Sequence, residues 1–530
     1  MSRHTTRSQH TRVRAAVVTV LAAALAATAS AATADPSDFD PGDPGIGDPY
    51  FPSYGNGGYD VSRYRIDLRY QPDGNRIEAV TTIEAEATQN LSRFNLDLVG
   101  LKVHDIEVDG DDATWSRSGQ ELRITPKHGL KDGQAFETKV VYSGTPVEFV
   151  LPGIDLRTGF MPTDDGVTVA GQPEVAASWF PVNDHPRDKA AYTFVVSVPE
   201  GHGVVANGVL ESERSAKGWT TFTWRAKEPM ASYLATIDIG EWDVRTWTTA
   251  AGLPVYDAVD PDLVADPVLG PAINASLDHQ GEMLEVLEAA FGPYPFSTVG
   301  AIVDDQPDLY FALETQTRPV YSKYFWPDYG DGVVVHELAH QWFGDYVALH
   351  RWQDIWINEG FSTYAEWLWL EHRGEIEAGE LAHEIYDVIT ADDPFWTLVI
   401  GDPGADHLFD EPVYVRGALA VQALREAVGD EHFWQILHAW SENRGGGTGT
   451  TDQLLRLAER MSGQDLDAVF EAWLYTAGKP ASLGSMASSK AGSAGAAGGT
   501  ATARGANASP GAADWIAGLQ ERVALAKRGR

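Results

Sequence analysis

The spacing of apolar residues changes once along this chain, and that change constrains the fold more than any other feature. From about residue 50 to 245, apolar and polar residues alternate, as in Tyr64-Arg65-Ile66-Asp67-Leu68-Arg69-Tyr70 and Phe136-Glu137-Thr138-Lys139-Val140-Val141-Tyr142. A period of two sends successive side chains to opposite faces of a strand, and the Gly, Asp and Asn clusters between such runs read as hairpin turns. From about residue 265 the spacing becomes helical, over 273–291, 333–343, 361–370 and 414–428. Thr451-Asp452 and Gly463 bracket a further helix with start and stop chemistry. The expected class is α+β and multidomain, with a β domain over 49–245 followed by a mostly helical domain over 246–480.

The two ends read differently. Arg3, Arg7, Arg12 and Arg14 precede an apolar run over 15–27, and Ala32-Thr33-Ala34 has the small-x-small form of a cleavage site. This predicts a secretory signal over 1–34, cut after Ala34, and hence a secreted protein. The apolar run is short and Ala-rich for a bilayer span, and no stable membrane span is expected elsewhere. Residues 35–48, rich in Asp, Pro and Gly, read as a flexible leader. Beyond Pro480 the composition collapses into Ala, Gly and Ser, and an amphipathic stretch over 515–527 follows. The segment 481–530 reads as a low-complexity tail with a short terminal helix, and no catalytic role is read for it.

Composition removes several function classes. A net charge of -37 repels nucleic acid and anionic lipid, so neither is expected as a partner. With 0 Cys there is no disulfide, no thiol nucleophile and no thiolate metal site. A bound metal must therefore sit on His, Glu or Asp.

Val335-His336-Glu337-Leu338-Ala339-His340-Gln341-Trp342 offers that site. Four residues apart on a helix, His336 and His340 project from one face and can share one metal ion. Glu337, in the same turn, can hold a water beside the metal and accept its proton. Farther on, Trp356-Ile357-Asn358-Glu359-Gly360-Phe361 opens another helical pattern. Glu359 would complete two His, one Glu and an open position, the layout of a catalytic zinc site with one Zn2+ per chain. Asn358 and Thr363 are ordinary helix-start residues. Asp345, Trp352 and Asp354, between the ligand segments, read as packing residues as readily as groups that orient a histidine.

From about Tyr50 to Pro480 the sequence resembles the aminopeptidase-N-like family of gluzincin metallopeptidases. His-Glu-Leu-Ala-His-Gln-Trp-Phe-Gly at 336–344 is similar to the family's zinc segment, and 356–361 to its third-ligand segment. Phe311-Ala312-Leu313-Glu314-Thr315 stands where the family has Gly-x-Met-Glu-Asn, and keeps only the glutamate. Tyr414-Val415-Arg416-Gly417-Ala418 resembles Tyr-x-Lys-Gly-Ala, with Arg for Lys. Gln172-Pro173-Glu174, with Phe180-Pro181 and Asp184, resembles the block that closes the amine-binding corner.

The resemblance implies a saddle-like N-terminal β-sheet domain and a thermolysin-like catalytic domain that removes N-terminal residues from peptides. Zinc on His336, His340 and Glu359 would activate a water, with Glu337 as general base and Tyr414 donating to the oxyanion. By resemblance, Glu314 and Glu174 bind the substrate's free ammonium. Larger members carry a long helical domain after the catalytic one. Here the likeness stops near Pro480, which predicts a cleft open on that side. A thermolysin-like endopeptidase shares the zinc pattern without needing the amine anchors, and a catalytically inert binding scaffold is the reading from another class.

Overall fold

Alternation in the first half becomes sheet. Tyr59–Gln71 turns Tyr64, Ile66, Leu68 and Tyr70 into the core and leaves Arg65 and Arg69 on the outer face. It pairs antiparallel with Arg76–Ala87 and parallel with Lys189–Pro199, inside an eight-stranded sheet that also holds Trp219–Ala231 and Ala135–Gly144. Opposing Tyr64 to Ile83 and Ile66 to Thr81 keeps the buried residues on one face, since a slip of one residue would turn them all outward. The computed structural model describes residues 39–151 and 156–484, together with Trp515 and Gly518. The expected signal segment and most of the 481–530 tail lie outside the described residues.

Two features of this half differ from expectation. The part of the leader that is described, 39–48, is tied down. Asp40–Pro41 pairs with Leu91–Asp97. Asp48 is buried, facing His185 Nε2 at 3.1 Å and accepting the Trp352 main-chain N–H at 3.0 Å. Burial alone would raise its pKa, yet His185 and the amides of Trp352 and Tyr50 hold the carboxyl down at about 2. An Asp-rich segment looks loose in sequence because its partners are distant. The second difference is the domain boundary expected at residue 245, which falls inside the strand Asp243–Thr248. That strand pairs with Pro254–Val259, which continues in parallel to Val299–Asp304 and Val320–Ser322, the sheet of the second half.

The helices differ from their expected spans mainly at the ends. The single helix expected over 273–291 is two, Leu269–Asp278 and Gln280–Phe291, which meet at His279. Thr450 caps Thr451–Ser462 with a reciprocal Gln453 bond, and Gly463 ends it in the left-handed conformation. Three helices build the site: Gly330–His340 (the His helix), Trp356–His372 (the Glu helix) and Glu411–Val428 (the Tyr helix). The Glu and Tyr helices touch backbone to backbone at two glycines. A Cβ on Gly360 would lie 2.9 Å from Gly417 Cα, so neither position has room for a side chain.

Candidate metal centre

His336, Glu337 and His340 lie on the buried His helix, and Glu359 enters from the first turn of the Glu helix. Phe343, just past the His helix, stacks on Phe361 of the Glu helix with ring centroids 4.2 Å apart, which locks the two elements together. Glu359 Oε2 stands 3.5 Å from His336 Nε2 and 3.4 Å from His340 Nε2. Two atoms each about 2.1 Å from a tetrahedral zinc are about 3.4 Å apart, so the spacing is that of zinc ligands rather than of hydrogen-bond partners.

Both imidazoles are oriented through their other nitrogen. His336 Nδ1 donates to Glu366 Oε1 at 2.8 Å, and His340 Nδ1 donates to the Phe343 carbonyl at 3.0 Å. With the protons there, each Nε2 turns a bare lone pair toward the shared point. Glu366 therefore does what Asp345 and Asp354 were candidates for. Asp354 instead accepts from Thr451, and Trp352 packs edge-on against Tyr233. Sequence reading missed Glu366, although it lies seven residues after Glu359, two turns along the same helical face.

The pocket is short of positive charge. Burial opposes ionisation of every group in it. The carboxylates of Glu359 and Glu366 nonetheless push His336 up to about 9, and Glu314 with Glu359 raises His340 well above its usual range. Glu359 is held down at about 2 by His340 and His336. Burial pushes Glu337 up to about 8 and raises Glu314 as well. Four buried carboxylates around two imidazoles form an environment that a divalent cation would balance, with release of the imidazole protons. The donor set, its spacing and its charge all fit zinc.

Of the remaining predicted residues, two join this centre. Glu314 is buried, accepts the Tyr233 hydroxyl at 2.8 Å, and has an oxygen within 4.8 Å of ligand atoms of Glu337 and His340. Gln341 fixes its main chain by donating to the Glu314 carbonyl at 3.1 Å. Tyr414, half-buried on the Tyr helix, places its ring 6.1 Å from the His336 ring at 26°. Arg416 explains the Arg of its motif: fully buried, it donates to the carbonyls of Trp396, Leu398, Ala472, Trp473 and Thr476, anchoring the helix that carries Tyr414. Glu174 is not brought into the cluster. Among the described residues it faces the Tyr54 hydroxyl and lines a cavity of about 170 Å³ with Phe51, Phe149, Leu408 and Phe409. Burial there pushes it up to about 7.

Comparison with known proteins identifies two family domains and several relatives. Residues 61–234 match the peptidase M1 N-terminal domain, and residues 328–473 match the peptidase family M1 domain. Aminopeptidase N of Streptomyces lividans is 25% identical over 460 residues, covering 79% of this chain and 50% of that protein. Leucyl aminopeptidase of Saccharolobus solfataricus is 24% identical over 452 residues, covering 79% and 54%. The chain thus spans about half the length of these curated relatives. An M1 zinc metallopeptidase from Deinococcus radiodurans superposes with a TM-score of 0.73 at 30% identity, covering 82% of this chain and 99% of that one. A two-domain M1 zinc metallopeptidase bound to L-arginine gives 0.75 at 29% identity, covering 82% and 98%.

Proposed function

This chain belongs to the peptidase M1 family, and on that premise we propose that it is a secreted zinc aminopeptidase. His336, His340 and Glu359 would hold one zinc ion, which when bound would supply Lewis acidity beside the scissile bond. Glu337 accepts the proton of the attacking water and returns it to the departing nitrogen. Tyr414, beside His336, donates to the oxygen on which charge develops.

The observation that carries exopeptidase action is Glu314. Its carboxylate shares one small space with Glu337 and His340 and is braced by the Tyr233 hydroxyl. An ammonium bound there would place the first peptide bond of the chain beside Glu337, so the bond cut would be the first one. In the proteins compared, a mutant form of an M1 zinc metallopeptidase from Deinococcus radiodurans is bound to a Tyr-Ser-Ala substrate, which is in keeping with short peptides as substrates. Glu174, on the wall of the neighbouring cavity, is proposed on the family resemblance as a second anchor for the ammonium.

Export is supported by the arginine-led apolar run and the Ala-Thr-Ala site. No helix among the described residues is long and apolar enough to cross a membrane. The test compares aminoacyl anilides with their N-acetylated forms on purified, zinc-loaded protein. Turnover confined to the free amines supports the proposal, and efficient cleavage of blocked substrates points to an endopeptidase. Mass spectrometry of the culture supernatant checks for an N-terminus at Asp35.

A further inference from the structure

The carboxylate that orients His336 is itself held by a residue from far along the chain. Trp515, from the segment beyond the Ala/Gly/Ser tract, is buried to 6% exposure. Its Nε1–H donates to Glu366 Oε2 at 3.0 Å. The other oxygen of the same carboxylate takes the His336 Nδ1–H at 2.8 Å. Two bonds in series therefore lead from the indole to a zinc ligand.

Other contacts show that this is a seated side chain rather than a passing one. The Trp515 ring meets the Trp367 ring edge-on, at 5.7 Å and 82°, and Trp367 follows Glu366 on the Glu helix. Three residues on, a Cβ at Gly518 would lie 3.5 Å from the Tyr329 ring. Tyr329 is the residue that precedes the His helix, and its hydroxyl bonds to the same Glu366 oxygen as the indole. Trp515 and Gly518 thus lie against the Glu helix and the residue that precedes the His helix, where one buried carboxylate joins them.

An indole N–H can only donate, and a ring wedged against Trp367 cannot turn it elsewhere. A carboxylate gripped by donors on both oxygens cannot rotate, so it keeps accepting from His336 Nδ1 and leaves the ring's Nε2 turned toward Glu359. We propose that Trp515 is a positioning residue of the metal centre, whose bond to Glu366 lengthens the time for which zinc is retained. This rests on the assignment of His336, His340 and Glu359 as zinc ligands.

The experiment uses the full chain loaded with zinc, with zinc release followed by a chromophoric chelator in excess. W515F keeps an aromatic ring against Trp367 but has no N–H. Zinc release should quicken roughly 3- to 10-fold, less than the 10- to 100-fold typical of losing a direct partner of a ligand. Its melting temperature without zinc should stay near that of the wild type. W515A should release zinc at least as fast and also melt earlier. If the wild type binds stoichiometric zinc and W515F releases it at the wild-type rate, the indole only packs and the inference is overturned. If the wild type binds no zinc, the ligand assignment fails and the inference falls with it.

Discussion

Replacing Glu366 by Gln probes the outer layer of the metal centre with almost no change of shape. The carboxylate now accepts from His336 Nδ1 at 2.8 Å on one oxygen and from Trp515 Nε1 at 3.0 Å on the other. The Tyr329 hydroxyl bonds to the second oxygen as well. An amide has one accepting end and one donating end. If its oxygen faces His336, its NH2 meets the indole N–H, two donors with no acceptor between them. If the amide is reversed, its NH2 requires a bare Nδ1, and the imidazole proton moves to Nε2, the atom that must face the metal. Either arrangement loses one hydrogen bond to a charged group, about 1.5–3 kcal/mol. That corresponds to zinc affinity weakened roughly 10- to 100-fold, in the range for removal of a group that orients a metal-bound histidine. Chelator competition at constant pH measures the affinity, and circular dichroism checks the fold. Wild-type zinc affinity in a folded E366Q protein would refute the role given to Glu366.

Three further outcomes are expected. Glu337→Gln keeps all three ligands and should bind stoichiometric zinc, while turnover falls roughly 100- to 10,000-fold; near-normal rates in the metal-loaded variant would remove Glu337 as the base. Tyr414→Phe deletes one hydroxyl and should cost about 2.7–4 kcal/mol at the transition state, seen in kcat with little change in KM; an effect on KM alone would move Tyr414 to substrate binding. Asp304 is buried, and burial pushes its carboxyl up to about 7 despite the Thr168 hydroxyl bonded to it. Because its folded pKa is raised, the folded state binds the proton more tightly. Its stability penalty is absent below about pH 4, grows up to about pH 7 and is constant above that. Asp304→Asn removes this, so urea titrations should find the variant's stability relative to wild type roughly 2–4 kcal/mol more favourable at pH 8 than at pH 4. A difference that does not vary with pH would show that Asp304 does not titrate as described.

What could be read from the sequence follows the range of the interactions. His336 and His340 are one helical turn apart, so their shared face is a local property, and alternation over 64–70 likewise declares its own buried side. Glu314 and Tyr414 were found only through the family resemblance. Glu314 depends on Tyr233 and Gln341, and Tyr414 on a helix crossing at Gly360 and Gly417, which no window of sequence contains. The leader over 35–48 reads as flexible for the same reason, since the partners of Asp48 are His185 and Trp352. Glu366 is the instructive case. Its spacing from Glu359 is visible, but a second glutamate on a helical face usually means a solvated surface. Burial reverses that meaning, because a carboxylate removed from water needs donors to hold its charge. Here the donors are His336 on one oxygen and Trp515 with Tyr329 on the other. Periodicity identifies which residues share a face, but only the packed structure shows which of them serves the metal.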